Sequence, residues 1–324
     1  MSKRPILIID ALNLFLRNFT VNPTMSDKGL HVGGFIGFLK SLAILCDRVR
    51  PSDVIVVWEG GGSPRRRAIF KDYKQNRRPV KLNRFYGDEI PDTTDNRDKQ
   101  VLLTINTLKK TSIKQLYISD CEADDVIGYI TRHKFPDSRY VIASSDKDFY
   151  QLLNKRVIQW SPGQKQYITP KTLIEKFGIS ATNFCTARSF IGDPSDGLDG
   201  VSRAGFPSLS KRFPALAENK FISVEDLIED AKYASETKTL KLFDNMVSGE
   251  KIAKRNWKLM YLDMIGLSAS QIQKIDYSLN DSQYNNDKIG LIKLLVKEGI
   301  HKFNADSFFS SIQAHTKVKK INAE

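Results

Sequence analysis

Only three cysteines, Cys46, Cys121 and Cys185, and four histidines occur in 324 residues. The cysteines are odd in number and widely spaced, with no CxxC or Cys/His pattern, which excludes a disulfide framework and a structural zinc site. No apolar run approaches the roughly 18 uninterrupted residues of a membrane span, and Met1 to Pro5 leads straight into a short apolar strand without a signal-peptide core. A soluble protein of the cytoplasm, clear of membranes, is expected. Walker and GxGxxG patterns are absent as well, which argues against a nucleotide-binding enzyme.

Acidic residues are the minority charge. Against 37 Asp and Glu stand 50 Lys and Arg, a net charge of +13, and a polyanion becomes the default partner. The excess is uneven. Between Pro64 and Arg84 lie Arg65, Arg66, Arg67, Lys71, Lys74, Arg77, Arg78, Lys81 and Arg84 against Asp72 alone, with Phe70 and Tyr73 among them. Cations interleaved with aromatics suit a nucleic-acid backbone and its stacked bases. The 41% hydrophobic content is enough for a core, and the length suits one large domain or a main domain with a smaller appendage.

Along the chain, Pro5 to Ile9 is a fully apolar run ending at Asp10, as a buried parallel strand reads. Gly33 to Cys46 reads as an apolar helix. A second strand, Val54 to Trp58, ends at Glu59; a third, Gln115 to Ser119, leads into Glu122-Ala123-Asp124-Asp125; a fourth, Tyr140 to Ala143, leads into Asp146-Lys147-Asp148. Ala123, Val126, Ile127 and Ile130 form an i, i+3, i+4, i+7 stripe, so Glu122, Asp124 and Asp125 sit in the first turn of a helix beside its buried face. Strands alternating with helices imply an α/β fold with a mainly parallel sheet, whose sites lie outside the carboxyl ends of the strands.

Each acid taken alone is explained as a helix cap or a complement to the helix dipole. Together they are not, because four strand ends delivering carboxylates to one edge would repel strongly and some would protonate without cations. Hard divalent cations, Mg²⁺ or Mn²⁺, prefer oxygen ligands and resolve the conflict. A further acidic group, Gly192-Asp193-Pro194-Ser195-Asp196-Gly197, is by composition an ordinary turn. After it, Leu198 to Phe213 places Gly200 and Gly205 among short apolar residues before Lys211 and Arg212, a pattern suited to a tight helix-turn-helix approaching a phosphate.

The ordered set IIDALN, VVWEG, RRAIFKDYKQNR, EADD, SSDKDF, GDPSDGLDGV and RNWKLMYLDMIG resembles the 5′ nuclease family, which includes flap endonucleases and 5′-3′ exonucleases, and is most similar to its T-even-type phage RNase H branch. The resemblance runs over residues 5 to 266 and leaves the last sixty or so without a placed motif. It implies a PIN-like sheet flanked by helices, with a catalytic domain over 1–180, a basic arch at about 64–100, and a helical C-terminal domain over 181–324 with a DNA-binding helix-turn-helix at about 190–215. It also implies two Mg²⁺ ions, replaceable by Mn²⁺, on Asp10, Glu59, Glu122, Asp124, Asp125, Asp146, Asp148, Asp193 and Asp196. Arg66 and Lys74 would reach the scissile phosphate, with Tyr73 near the terminal base. Arg65, Arg67, Arg77 and Arg78 would hold the substrate strand, and Gly200, Arg203, Gly205 and Lys211 the duplex.

Two positions depart from the family pattern. Glu59 stands where Asp is usual, and Arg203 where a further glycine is usual, which bears on any monovalent-cation site in that loop. The activity implied is metal-dependent hydrolysis at 5′ ends, flaps, nicks or RNA primers of duplex DNA by a monomer in replication or repair, leaving a 5′-phosphate and a 3′-hydroxyl. A PIN-type ribonuclease for single-stranded RNA would use the same acids but not the basic arch. A catalytically inactive DNA-binding protein would gain nothing from negative charge beside its phosphate ligand.

Overall fold

The computed structural model describes residues 4–75, 94–237, 240–280 and 285–313. Its centre is strand β1 (Ile6–Asp10), five residues buried along their whole length. Such a strand needs neighbours on both edges and cover on both faces, which is why it carries no polar residue before Asp10. β2 (Asp53–Trp58) and β4 (Tyr140–Ala143) lie parallel on either side of it, β3 (Lys114–Tyr117) lies outside β2, and β5 (Val157–Ser161) and β6 (Gln166–Ile168) lie outside β4, giving the order β3-β2-β1-β4-β5-β6. The first five are parallel and β6 is antiparallel to β5. The mainly parallel sheet expected from the sequence is present, with β5 and β6 as an addition to it.

Register decides where the strand ends fall. Ile9 pairs with Val56 and with Ala143, and Trp58 with Tyr117, so the carboxyl ends of β1, β2, β3 and β4 finish together. Chain order reverses between β2-β1 and β4-β5, the kind of switch point at which ligand crevices form in open α/β sheets. Asp10 stands there.

Alternate side chains of β1 serve two layers. Leu7 and Ile9 face α1 (Ala11–Val21) and α2 (Gly33–Val49), packing among Phe15, Phe38 and Leu42. Ile6 and Ile8 face α5 (Ala123–His133), whose Val126, Ile127 and Ile130 stripe is buried as its spacing predicted. Fully burying each such side chain contributes roughly 1.5–3 kcal/mol. Between these elements lie the short α3 (Pro64–Ile69) and α4 (Thr94–Leu108).

After the sheet come α6 (Pro170–Phe177), α7 (Ala181–Ile191), α8 (Phe206–Arg212), α9 (Val224–Thr237), α10 (Lys241–Ser248), α11 (Glu250–Met260), α12 (Ala269–Asn280), α13 (Lys288–Lys297) and α14 (Ala305–Gln313). α7 and α8 are joined by residues 192–205, so the stretch 190–215 holds the end of α7, that connection and α8. The final helices, which carry no motif, have a packing duty. Leu291 and Leu295 of α13 and Phe308, Phe309 and Ile312 of α14 are buried in the same cluster as Phe38 and Leu42 of α2. Among the described residues no helix is long and apolar enough to cross a membrane.

Candidate metal centre and active site

Asp10 ends β1 and caps α1, accepting the Asn13 N–H at 3.2 Å. Its other oxygen accepts the Ser144 hydroxyl at 2.9 Å, and the same hydroxyl accepts the Asp146 N–H at 3.0 Å, so one serine ties two carboxylates across the ends of β1 and β4. Burial pushes Asp10 up to about 7, with the neighbouring Asp146 and Glu59 charges adding to the shift. Burial also raises Asp124 well above the usual carboxylate range, assisted by Asp146 and Asp10, and raises Asp146. These three acids sense one another, as charges crowded in a low-dielectric crevice must. Glu59, at the end of β2, accepts the Ala123 N–H at 3.3 Å and so faces the first turn of α5.

A second group stands beside the first. Oxygens of Asp148, Asp193 and Asp196 lie within 4.8 Å of one another. Asp148 does not open an α-helix; it begins a 3₁₀ turn over Asp148–Leu152, with its N–H held at 2.8 Å by Asp146 Oδ1. Burial and then Asp146 push Asp148 up to about 7. Asp193 is partly buried, but hydrogen bonds from Ser195 and the Arg188 guanidinium outweigh that burial and hold it below the ordinary range.

Arg188 is the residue that motif reading missed. It bridges Asp148, at 3.4 Å, and Asp193, while its buried Nε has no hydrogen-bond partner. Its signal was present, since it is the single charged residue in the eleven of α7. Ser144 and Asn13 gave no such signal, being ordinary polar residues beside strand ends.

The acids of α5 divide. Glu122 meets cations, with Lys74 Nζ at 2.6 Å and Arg66 Nη1 at 3.1 Å from its Oε2. Burial pushes Glu122 up, yet Arg66 and Lys74 bring it net below the usual range. Asp125 points away from the crevice, taking Arg66 Nη1 at 2.6 Å and Nη2 at 2.7 Å. Residues 124 and 125 lie about 100° apart around a helix of 3.6 residues per turn, so the two carboxylates leave it in different directions. Asp125, expected among the metal ligands, is a partner of Arg66 instead.

Arg66 was expected to reach the scissile phosphate. It is 6% exposed, and its Nε bonds the Leu259 carbonyl at 2.7 Å while its fork holds Asp125, so the guanidinium braces the site from within. Tyr73, expected beside a terminal base, is 7% exposed and directs its hydroxyl at Glu122 (3.2 Å) and Asp196 (3.4 Å). Lys74 stands among the carboxylates. A positive φ of 59° and an N–H bond to the Asp196 carbonyl turn its side chain into the crevice, with Nζ 3.8 Å from Asp196 Oδ2.

Arg65, Arg67, Arg203 and Lys211 are exposed, and Arg77 and Arg78, with residues 76–93 of the expected arch, lie outside the described residues. Gly200 is a close-packing glycine: a Cβ there would fall 2.0 Å from the Ile191 carbonyl oxygen. Gly205 has ordinary room and opens α8. Arg203 holds φ at 68°, the left-handed conformation in which glycine is at ease.

The family model described as "5′-3′ exonuclease, N-terminal resolvase-like domain" matches residues 5–178. The 5′-3′ exonuclease of Aquifex aeolicus (strain VF5) is 28% identical over 233 residues, covering 70% of this chain and 73% of that one. The flap endonuclease Xni of Shewanella woodyi (strain ATCC 51908 / MS32) is 26% identical over 265 residues, covering 79% and 92%. DNA polymerase I of Lactococcus lactis subsp. cremoris (strain MG1363) is 27% identical over 263 residues, 78% of this chain, which spans 28% of the polymerase's length. Among solved structures, T5 5′-exonuclease with bound zinc ions superposes with a TM-score of 0.62 at 20% identity, covering 86% of this chain and 99% of that one. That likeness shows a shared fold. With its sheet, its carboxylate edge and more than half of its length matching one family model, this chain belongs to the 5′-3′ exonuclease family through an N-terminal resolvase-like domain.

Proposed function

We propose that this chain is a divalent-metal-dependent 5′ nuclease that hydrolyses phosphodiesters at 5′ ends, flaps or RNA primers of duplex DNA, leaving a 5′-phosphate and a 3′-hydroxyl. One observation carries the reading: the carboxyl edge of the sheet collects two adjoining groups of carboxylates, with the Lys74 ammonium between them and in reach of Glu122 and Asp196. The names of its relatives, 5′-3′ exonuclease and flap endonuclease, support the same class.

The donor set fits hard divalent cations. Every candidate ligand is an oxygen, three of them lie within 4.8 Å of one another, and several are buried acids that burial and like charges drive toward protonation. Asp10, Asp124, Asp146 and Glu122 would hold one ion, Asp148, Asp193 and Asp196 a second, and Glu59 would stand beside the first. Two Mg²⁺ ions, or Mn²⁺ in their place, would supply an activated water and charge neutralisation for phosphodiester hydrolysis.

The chain's own residues do the rest. Lys74 adds a fixed positive charge where the phosphate gathers negative charge, in a crevice whose dielectric makes that charge count. Tyr73 and Arg66 hold Glu122 and the α5 turn in place from below. Arg188 holds Asp148 and Asp193 together before substrate arrives. Exposed Arg65 and Arg67 at the base of the basic run, with Arg77 and Arg78 following, would track a strand's phosphates, and Arg203 and Lys211 of the helical module over 181–324 would hold duplex. Contacts of this kind read charge and not sequence.

A labelled 5′-flap duplex with Mg²⁺ tests the proposal. Asp146→Asn is expected to abolish cleavage while binding persists; cleavage at the wild-type rate would refute it. A panel of 5′ flap, nicked duplex, RNA/DNA hybrid and single-stranded RNA then sets the substrate, and preference for the last would replace this reading with a single-strand ribonuclease.

A further inference from the structure

Away from the carboxylate edge, α4 and α13 run antiparallel. At one end the Asp287 N–H and the Asn285 amide reach the carbonyls of Lys110 and Lys109, both at 2.8 Å. At the other, the loop through residues 26–31 joins them. Gln100 of α4 bonds the His31 carbonyl at 2.8 Å, and Lys28 Nζ bonds the Lys297 carbonyl at 2.6 Å. Between the helices lies a groove of about 640 Å³.

Its chemistry is two-sided. Leu30, Leu102, Leu103 and Leu294 line it, and Leu30 and Leu102 are 57% and 59% exposed, large apolar side chains left in water. Lys99, Lys110, Lys293 and Lys297 line it as well, with Glu298 as the one acid of the lining. Lys110 is paired with Asp287, whereas Lys99, Lys293 and Lys297 have no ion-pair partner among the described residues.

We propose that this groove docks a short acidic, amphipathic segment of a partner protein, its leucine-like side chains on the apolar floor and its carboxylates on the lysines. Charge chooses the occupant. A second copy of this chain brings a net +13 and would be repelled. A nucleic-acid strand would satisfy the lysines but not the leucines, since unpaired bases stack on aromatic faces and no Phe, Tyr or Trp lines the groove. An acidic segment with apolar side chains satisfies both, by the helix-in-groove or extended mode of peptide recognition. The ten residues of α13 give the groove a length of about 15 Å, enough for roughly five extended residues. The site stands apart from the carboxylates, so the proposal is independent of the nuclease reading.

The test is fluorescence anisotropy on the full chain with a labelled peptide of about eight residues, Asp and Glu interspersed with Leu and Phe. Saturable binding is expected, weakened about tenfold or more by Leu102→Glu and by Lys293→Glu. Leu102 and Lys293 are surface residues, so both variants should retain wild-type melting temperature and flap cleavage. A control peptide with Ser in place of Leu and Phe should bind at least about tenfold more weakly. Equal binding of the two peptides, or variants that bind as wild type does, overturns the proposal. So does a sedimentation shift from dimer to monomer on Leu102→Glu, which would assign the groove to a second copy. Loss of DNA affinity in Lys293→Glu without any peptide binding would assign it to nucleic acid and overturn it equally.

Discussion

Arg66 meets Asp125 fork to fork: Nη1 lies 2.6 Å from Oδ2 and Nη2 2.7 Å from Oδ1, in a part of the protein where Arg66 is 6% and Asp125 1% exposed. With Nε on the Leu259 carbonyl, one guanidinium fastens α3, α5 and α11 to one another. The cationic run in the sequence hides this, because an arginine that binds phosphate and one that braces a carboxylate are spelled alike.

Removing Arg66 leaves Asp125 buried without its partner. Arg66→Ala is expected to cost about 3–5 kcal/mol in urea unfolding, the range for breaking a buried pair. Arg66→Lys should recover little, since an ammonium cannot form the fork. An Arg66→Ala protein as stable as wild type but impaired in binding DNA would return Arg66 to the substrate.

Lys74 presents the opposite case. It is half-buried with its ammonium against Glu122 and Asp196, so Lys74→Ala should lower single-turnover cleavage by about 10²–10³-fold while flap affinity changes far less. Affinity falling as far as the rate would make Lys74 a docking residue.

Asp10 and Asp148 are pushed up to about 7 by burial. In the unfolded chain they titrate near 3.8, so across the interval from 3.8 to about 7 the folded protein holds protons that the unfolded chain has released. Stability of the metal-free protein should therefore fall as pH rises through that window, and be recovered as pH drops. Saturating Mg²⁺ should flatten the slope, because the ion replaces those protons. Melting curves from pH 4 to 8, with chelator and with Mg²⁺, measure this; parallel curves would show that the ions bind elsewhere.

Two glycines of the 192–205 connection and its helix differ in duty. Gly200→Ala places a Cβ against the Ile191 carbonyl and should lower stability by about 1–3 kcal/mol. Gly205→Ala has room and should leave stability and affinity within about 0.5 kcal/mol of wild type. Equal effects on melting temperature would mean that the loop repacks freely.

Arg203 sits in a glycine-like conformation at φ 68°. Arg203→Gly should stabilise the fold by about 1 kcal/mol through relief of that conformation. The same change should reduce the salt dependence of DNA affinity by about one phosphate contact. An unchanged salt slope would separate Arg203 from the duplex.

Sequence reading reached the strands whose apolar runs are unbroken. β1, β2 and β4 lie within a residue of expectation, because a strand covered on both faces has no polar alternation to blur it. β5 was missed since Gln159 interrupts its run; that amide is buried and bonds the carbonyls of Ser144 and Asp146, a tertiary duty that spacing does not show. The carboxylates were legible as strand-end acids, with Asp148 and Asp193 brought together only by the fold. What sequence could not divide was Asp124 from Asp125, adjacent and chemically identical, until Arg66 claimed one of them.

The strand order also imposes a timetable. β1 precedes every other element, yet its two neighbours begin at residues 53 and 140, and parallel pairings over such separations close slowly. Carboxylates that finally stand together belong, in a refolding chain, to segments that have not yet met. Helical ellipticity should thus return well before the ability to capture a divalent cation, and that lag is a clock for completion of the sheet.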